Sequence, residues 1–385
     1  MSHIEETIKN ESALESLIQN ITLSPDESEL NKSVQSNLEI ISPDIKEFIP
    51  SEKVPEKIET STEEYPAQIY YVKNKQESIS KEPISKIENK FNQVFISLPK
   101  EIEKRPDPIN YTTLVVSGGS VKGHIALGVL QYALDRHYLD YVKTYIGTSI
   151  GSAISYLLAI GYTPRDILVY LCVNHVGEEF KYYNMVKVIN GEGSFSFDII
   201  SKHLEKMTLE KIGHYLTFRE VFTILGKKLI FTTYNETQGY GEYLSVDTYP
   251  DMPVLVAVQM SSLLPFVFEK FRYMGSSYID GGIFDNFPLL QAQKGEKILG
   301  INMLPRQHGL SPEKEKDLFG YIHHLMFTPV MELVKIQTKN KPENCDIIEI
   351  IDKDEIPLKL NLDNKEKLNY FSKGYQHAKK FFCAL

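Results

Sequence analysis

Disulfide scaffolding is the first thing this chain lacks. Its three cysteines, Cys172, Cys345 and Cys383, are odd in number and far apart, a pattern that makes neither a disulfide framework nor a metal-binding cluster. A reducing compartment is the expectation. Also missing is the basic-then-apolar order of a secretory signal, because the amino terminus reads MSHIEETIKNES. No apolar run approaches the roughly 18 to 20 residues that a membrane-spanning helix needs. The closing Phe382-Cys383-Ala384-Leu385 is one residue short of a prenylation box. These absences point to an intracellular protein. A basic excess is absent as well: the net charge is -9, and residues 1–65 hold 15 Asp and Glu against 5 Lys, leaving 36 acids against 37 bases in the rest. The near-neutral body offers no electrostatic footprint for nucleic acid, so no such partner is expected, nor strong capture by anionic lipid.

What is present divides unevenly. Residues 1–65 are rich in Ser, Glu, Lys, Asn and Pro, which predicts a disordered acidic tail. Residues 66–110 read as a linker and docking segment, 111–305 as the core of one domain, and 306–385 as its helical and strand completion. From Tyr111 onward the texture is that of a parallel α/β sheet. Residues 112–117 (TTLVVS) read as a buried strand, followed by a glycine loop and a helical run, HIALGVLQYALDRHYL. Residues 143–146 are a second strand and 152–160 a second helix. Thr163-Pro164-Arg165-Asp166 has the spacing of a helix start, and Thr217 and Glu220 repeat it. Further on, residues 176–226 read as mainly helical, 252–260 as an apolar helix, and 228–234, 242–246, 266–273, 277–279 and 298–303 as strands. A helix starting at Asn286-Phe287-Pro288, one over 317–337 interrupted near Pro329, a DIIEII strand and an amphipathic run over 365–382 complete the reading.

Three glycine-flanked sites carry the chemistry. Gly147-Thr148-Ser149-Ile150-Gly151 is a GxSxG pattern between a strand and a helix, the form of a nucleophile elbow in which glycines clear room for a serine on a sharp turn. The helix that follows aims its positive end at Ser149. Gly118-Gly119-Ser120-Val121-Lys122-Gly123 departs from GxGxxG and from a Walker loop. Its reading together with the elbow is acyl transfer, with backbone N–H groups of Gly119, Ser120 and Val121 facing an oxyanion. Serine needs a base, and Asp280, at a strand end and freed by Gly281 and Gly282, is the leading choice.

The ordered set, with AVQMSSLLPFVF before Asp280 and DNFP after it, resembles the patatin-like phospholipase family over residues 111–305. The resemblance implies a three-layer α/β/α sandwich with a mainly parallel sheet, a Ser149–Asp280 dyad, an oxyanion loop at 118–123, and no metal or cofactor. It further implies hydrolysis of phospholipid or another acyl lipid during transient, peripheral contact with a membrane surface. One position departs from the family's usual GGGx(R/K)G: Ser120 stands where the third glycine falls, at a cost of about 1 kcal/mol if positive φ is required there. Lys122 fits the basic position of that pattern and equally reads as a solvated loop lysine. Two alternatives stand beside the hydrolase. One is a catalytically weak patatin-like fold that binds lipid or a partner. The other is a general α/β-hydrolase whose histidine would be His308, His323, His324 or His377.

Overall fold

The computed structural model describes residues 109–180, 182–304, 318–351 and 359–385. The tail expected over 1–65 and all but the last two residues of the 66–110 linker lie outside the described residues.

Among the described residues eight strands form one sheet: β1 (Thr113–Val116), β2 (Thr144–Thr148), β3 (Lys228–Asn235), β4 (Tyr240–Ser245), β5 (Phe271–Tyr273), β6 (Ser276–Asp280), β7 (Ile298–Leu304) and β8 (Cys345–Ile351). Their order is β5-β6-β3-β2-β1-β7-β8, with β4 also paired to β3. Strands β8, β7, β1, β2 and β3 are parallel neighbours, whereas β4, β6 and β5 add antiparallel pairings beyond them. Every residue of β1, β2 and β7 is buried. Helices cover both faces of the sheet, so its central strands need no polar side.

The helices are α1 (Gly123–Asp135), α2 (Ile150–Ala159), α3 (Pro164–Val173), α4 (Met185–Ile189), α5 (Asp198–Ile212), α6 (Phe218–Leu225), α7 (Val254–Ser261), α8 (Leu318–Lys339) and α9 (Asn364–Phe382). On one face Leu130 of α1, Ile154 of α2, Val258 of α7 and Phe371 of α9 share a core with Val116, Leu299 and Ile301. On the other face Val334 of α8 packs with Val115, Ile146, Ile298 and Phe287. The fold is the expected α/β/α arrangement around a mixed, mainly parallel sheet. Helices α1 and α9 touch backbone to backbone: a Cβ on Gly128 would sit 1.9 Å from the Phe371 carbonyl oxygen, and one on Gly374 1.9 Å from that of Ile125. Only glycine allows that approach.

The start signals read at Thr163 and Thr217 both form complete capping boxes, with Asp166 and Glu220 reaching back; α9 begins on a third, Asp363 with Glu366. Three expectations need correction. The helix at 286–288 does not form, since Asn286 is bonded to Gly118, Phe287 and Leu289 are both buried, and only a single 3-10 turn, Leu289–Gln291, follows. The strand expected over 266–273 shrinks to β5, because Phe266 turns the chain with φ 66. The helix expected to break near Pro329 runs through it; Pro329 is exposed, so the carbonyl left without its N–H partner faces water.

Candidate active site

Strand β3 is the ruler that brings the site together. Its Thr232 pairs with Thr148 and its next residue, Thr233, pairs with Asp280, so Ser149 emerges from β2 beside the end of β6. Ser149 and Asp280 are brought side by side there, close enough for the serine side chain to favour the charged carboxylate. Gly282 donates its N–H to Asp280 Oδ1 at 2.7 Å. Asp280 is buried, which disfavours its charged form and raises its pKa from 3.8 to about 6, with the Ser149 side chain and the Gly282 N–H pulling the other way. The carboxyl is held poised near neutrality, within reach of a serine hydroxyl.

Ser149 occupies strained backbone at φ 54, ψ -127, a conformation that non-glycine residues adopt only when their surroundings impose it. Here the imposition is steric. A Cβ on Gly151 would lie 2.2 Å from the Val116 carbonyl oxygen, and one on Gly147 2.5 Å from that of Gly151. The Ser149 N–H is accepted by Ser261 Oγ at 2.9 Å, and its carbonyl receives the Ser152 hydroxyl at 2.6 Å. Thr148 Oγ1 lies 3.0 Å from both Thr232 Oγ1 and the Asp285 carbonyl oxygen. Ile150 opens α2, whose positive end points at Ser149.

The 118–123 loop leaves β1 and reaches the same place: a Cβ on Gly118 would stand 3.3 Å from Ser149 Cβ and 2.4 Å from Asn286 Oδ1. Asn286 clamps it, accepting the Gly118 N–H at its carbonyl (3.1 Å) and donating Nδ2 to the Gly118 carbonyl (3.3 Å). Gly119 presses on Met303, with 2.6 Å between its virtual Cβ and the Met303 Cβ. A 3-10 turn, Ser120–Lys122, leads into Gly123 and α1, and the Lys122 N–H bonds the Gly119 carbonyl at 3.0 Å. The N–H groups of Gly119, Ser120 and Val121 have no backbone acceptor among the described residues. Such a row of free donors suits developing negative charge. Ser120 has φ 49, the left-handed backbone that the glycine at this position would provide.

The solvated reading of Lys122 is corrected, since this residue is 4% exposed. Behind the loop, half-buried His124 lies with Nδ1 2.9 Å from the Val121 carbonyl oxygen, and desolvation lowers its pKa to about 4. A neutral ring then donates Nδ1–H and supports the 3-10 turn. Of the histidines weighed as a triad member, His377 bonds the Glu349 carbonyl from α9. His308 lies outside the described residues, as do the side chains of His323 and His324. Among the described residues no group of three His, Cys, Asp or Glu side chains is gathered to hold a metal, and no single helix is long and apolar enough to cross a membrane. The sequence reading missed His124, Asn286 and Ser261 as parts of the site. The DNFP and SSLLP strings that hold two of them were visible, but the loops they secure are distant in sequence.

A strained serine on a strand-to-helix turn, beside a buried aspartate and a glycine loop whose N–H groups have no backbone acceptor among the described residues, is an arrangement suited to acyl transfer. The sequence profile of the patatin-like phospholipases matches residues 114–292. A probable lipid hydrolase, 463L of Invertebrate iridescent virus 6, is 32% identical over 282 residues, covering 70% of this chain and 89% of the relative. An uncharacterized protein of Acanthamoeba polyphaga mimivirus is 26% identical over 74% of this chain and 96% of its own length. Among solved structures, VipD from Legionella pneumophila aligns over 76% of this chain and 73% of its own, at 17% identity and a TM-score of 0.43. The chain belongs to the patatin-like phospholipase family, a family of serine lipid acyl hydrolases.

Proposed function

We propose that the protein hydrolyses acyl esters of phospholipids or related lipids with Ser149 as nucleophile and Asp280 as base. The Asp280 carboxylate takes the Ser149 proton as Oγ attacks the acyl carbonyl. The oxyanion of the tetrahedral intermediate is met by N–H groups of Gly119, Ser120 and Val121 and by the positive end of α2. Collapse breaks the ester bond and the leaving alkoxide takes the proton from Asp280, which leaves an acyl-Ser149. Water, deprotonated by the same carboxylate, then releases the fatty acid and returns the proton to Ser149 Oγ. The strained Ser149 set beside buried Asp280 by the register of β3 is the observation that carries this reading, and the raised pKa of Asp280, about 6, agrees with it. An ordinary aspartate near 3.9 is far too weak a base. The name of the viral relative, a probable lipid hydrolase, agrees with it. Access to such substrates calls for transient contact with a membrane surface.

Labelling by a fluorophosphonate probe tests the proposal. The wild-type protein should label and turn over a p-nitrophenyl ester. Ser149→Ala should do neither, and Asp280→Asn should lose several orders of magnitude in kcat. Turnover that survives in Ser149→Ala rejects the assignment. The second reading, a catalytically weak lipid- or partner-binding fold, is favoured by the positive φ of Ser120; it predicts negligible labelling of the wild type.

A further inference from the structure

We infer that Ser261 is a positioning residue of this site, whose hydroxyl holds the nucleophile's backbone in its strained conformation. The inference rests on Ser149 acting as nucleophile. At φ 54, ψ -127 the Ser149 N–H points away from both the strand ladder that ends at Thr148 and the helix that begins at Ile150. Its partner is Ser261 Oγ at 2.9 Å, and Ser261 is fully buried at the end of α7, so water cannot substitute. The same short segment also holds the base: the Leu263 carbonyl accepts the Asp280 N–H at 2.9 Å. Thr233 Oγ1 links the two strands to it, 2.9 Å from the Met260 carbonyl oxygen and 3.1 Å from that of Ile279. Residues 260–263 therefore fix Ser149 and Asp280 in one register, which gives the SSLLP string a task. Because Ser261 takes the Ser149 N–H, that group is removed from the oxyanion donors, and the loop and α2 are left to provide them.

The test compares full-length wild type, Ser261→Ala, Ser261→Cys and Ser149→Ala, with rates normalised to the folded fraction. The neighbour Ser262→Ala serves as the control. A misplacement of the order of 1 Å costs about 100-fold in rate, so Ser261→Ala should lose about 10- to 100-fold in kcat with KM within about two-fold. Ser261→Cys, which keeps a weaker acceptor, should fall between it and wild type. The acidic limb of the pH profile should move upward in Ser261→Ala, because a displaced Ser149 no longer favours the charged form of Asp280. A kcat within two-fold of wild type, or a lower kcat with an unmoved acidic limb, overturns the inference while Ser149→Ala remains inactive. Activity in Ser149→Ala overturns the proposed function instead.

Discussion

The two glycine loops that meet at Ser149 are tight for different reasons. In the elbow, the atoms that exclude a side chain are backbone: Gly147 faces the Gly151 carbonyl and Gly151 faces those of Val116 and Ser117. In the 118–123 loop the excluding atoms are side chains, Asn286 at Gly118, Met303 at Gly119 and Ile150 at Gly123. Backbone in a central sheet cannot move without breaking hydrogen bonds, whereas Asn286 Oδ1 and Ile150 Cγ1 move when their side chains change rotamer. The elbow therefore has no substitute sequence, and the loop has room to drift. Ser120, at φ 49 where the family has glycine, is an instance of that drift.

The sharpest way to break this comparison is Gly151→Ala, whose Cβ would meet the Val116 oxygen at 2.2 Å. It should abolish turnover and cost about 3 kcal/mol or more, read by denaturant melting; a stable, active variant would show that the elbow yields. Gly119→Ala should lose about 100-fold in kcat from loop displacement. Adding Met303→Gly, which removes the Cβ and the sulfur that crowd this position, should restore at least tenfold of it. No recovery in the double variant would place the obstacle in the backbone.

The next effect concerns Asp280. Between 3.8 and about 6 the folded protein keeps a proton that the unfolded chain releases, so stability falls as pH rises through that window. Asp280→Asn should remove this dependence and stabilise the fold at pH 8 by on the order of 1–3 kcal/mol, measured by melting at pH 8 and pH 5. Wild-type kcat/KM should rise to a plateau above about 6. The smallest effect belongs to Ser120→Gly, which should relieve about 1 kcal/mol of strain and leave kcat unchanged or raised a few-fold. A tenfold fall, about 1.4 kcal/mol in the barrier, would mean that the Ser120 hydroxyl has been recruited.

Legibility in the sequence followed the same division. Local geometry was readable: GxSxG gave the elbow, DGG the strand end, and Thr163-Pro164 and Thr217 the helix starts, because each signal and its cause lie within a few residues. Long-range partners were not. Nothing near Ser149 announces that its N–H is taken by Ser261, and DNFP reads as a helix start until Asn286 is seen bonded across to Gly118. Pro329 failed as a break signal because its cost depends on which face of α8 it occupies. Of the two readings of Lys122, the solvated one rested only on loop lysines usually being exposed, and the burial of this side chain removes it.

The contact between α1 and α9 has a consequence in time. Tyr375 bonds Asp135 across 240 residues of chain, and the Gly128 face that opens onto Phe371 stays bare until α9 has been made. At about 5–20 residues per second, synthesis leaves α1, and the 118–123 loop that enters it, without their support for tens of seconds. A lipid hydrolase built this way is expected to be silent on the ribosome. Chains stalled before residue 364 should escape fluorophosphonate labelling, and each molecule should gain the power to cut lipid only after it has been made through its last helix.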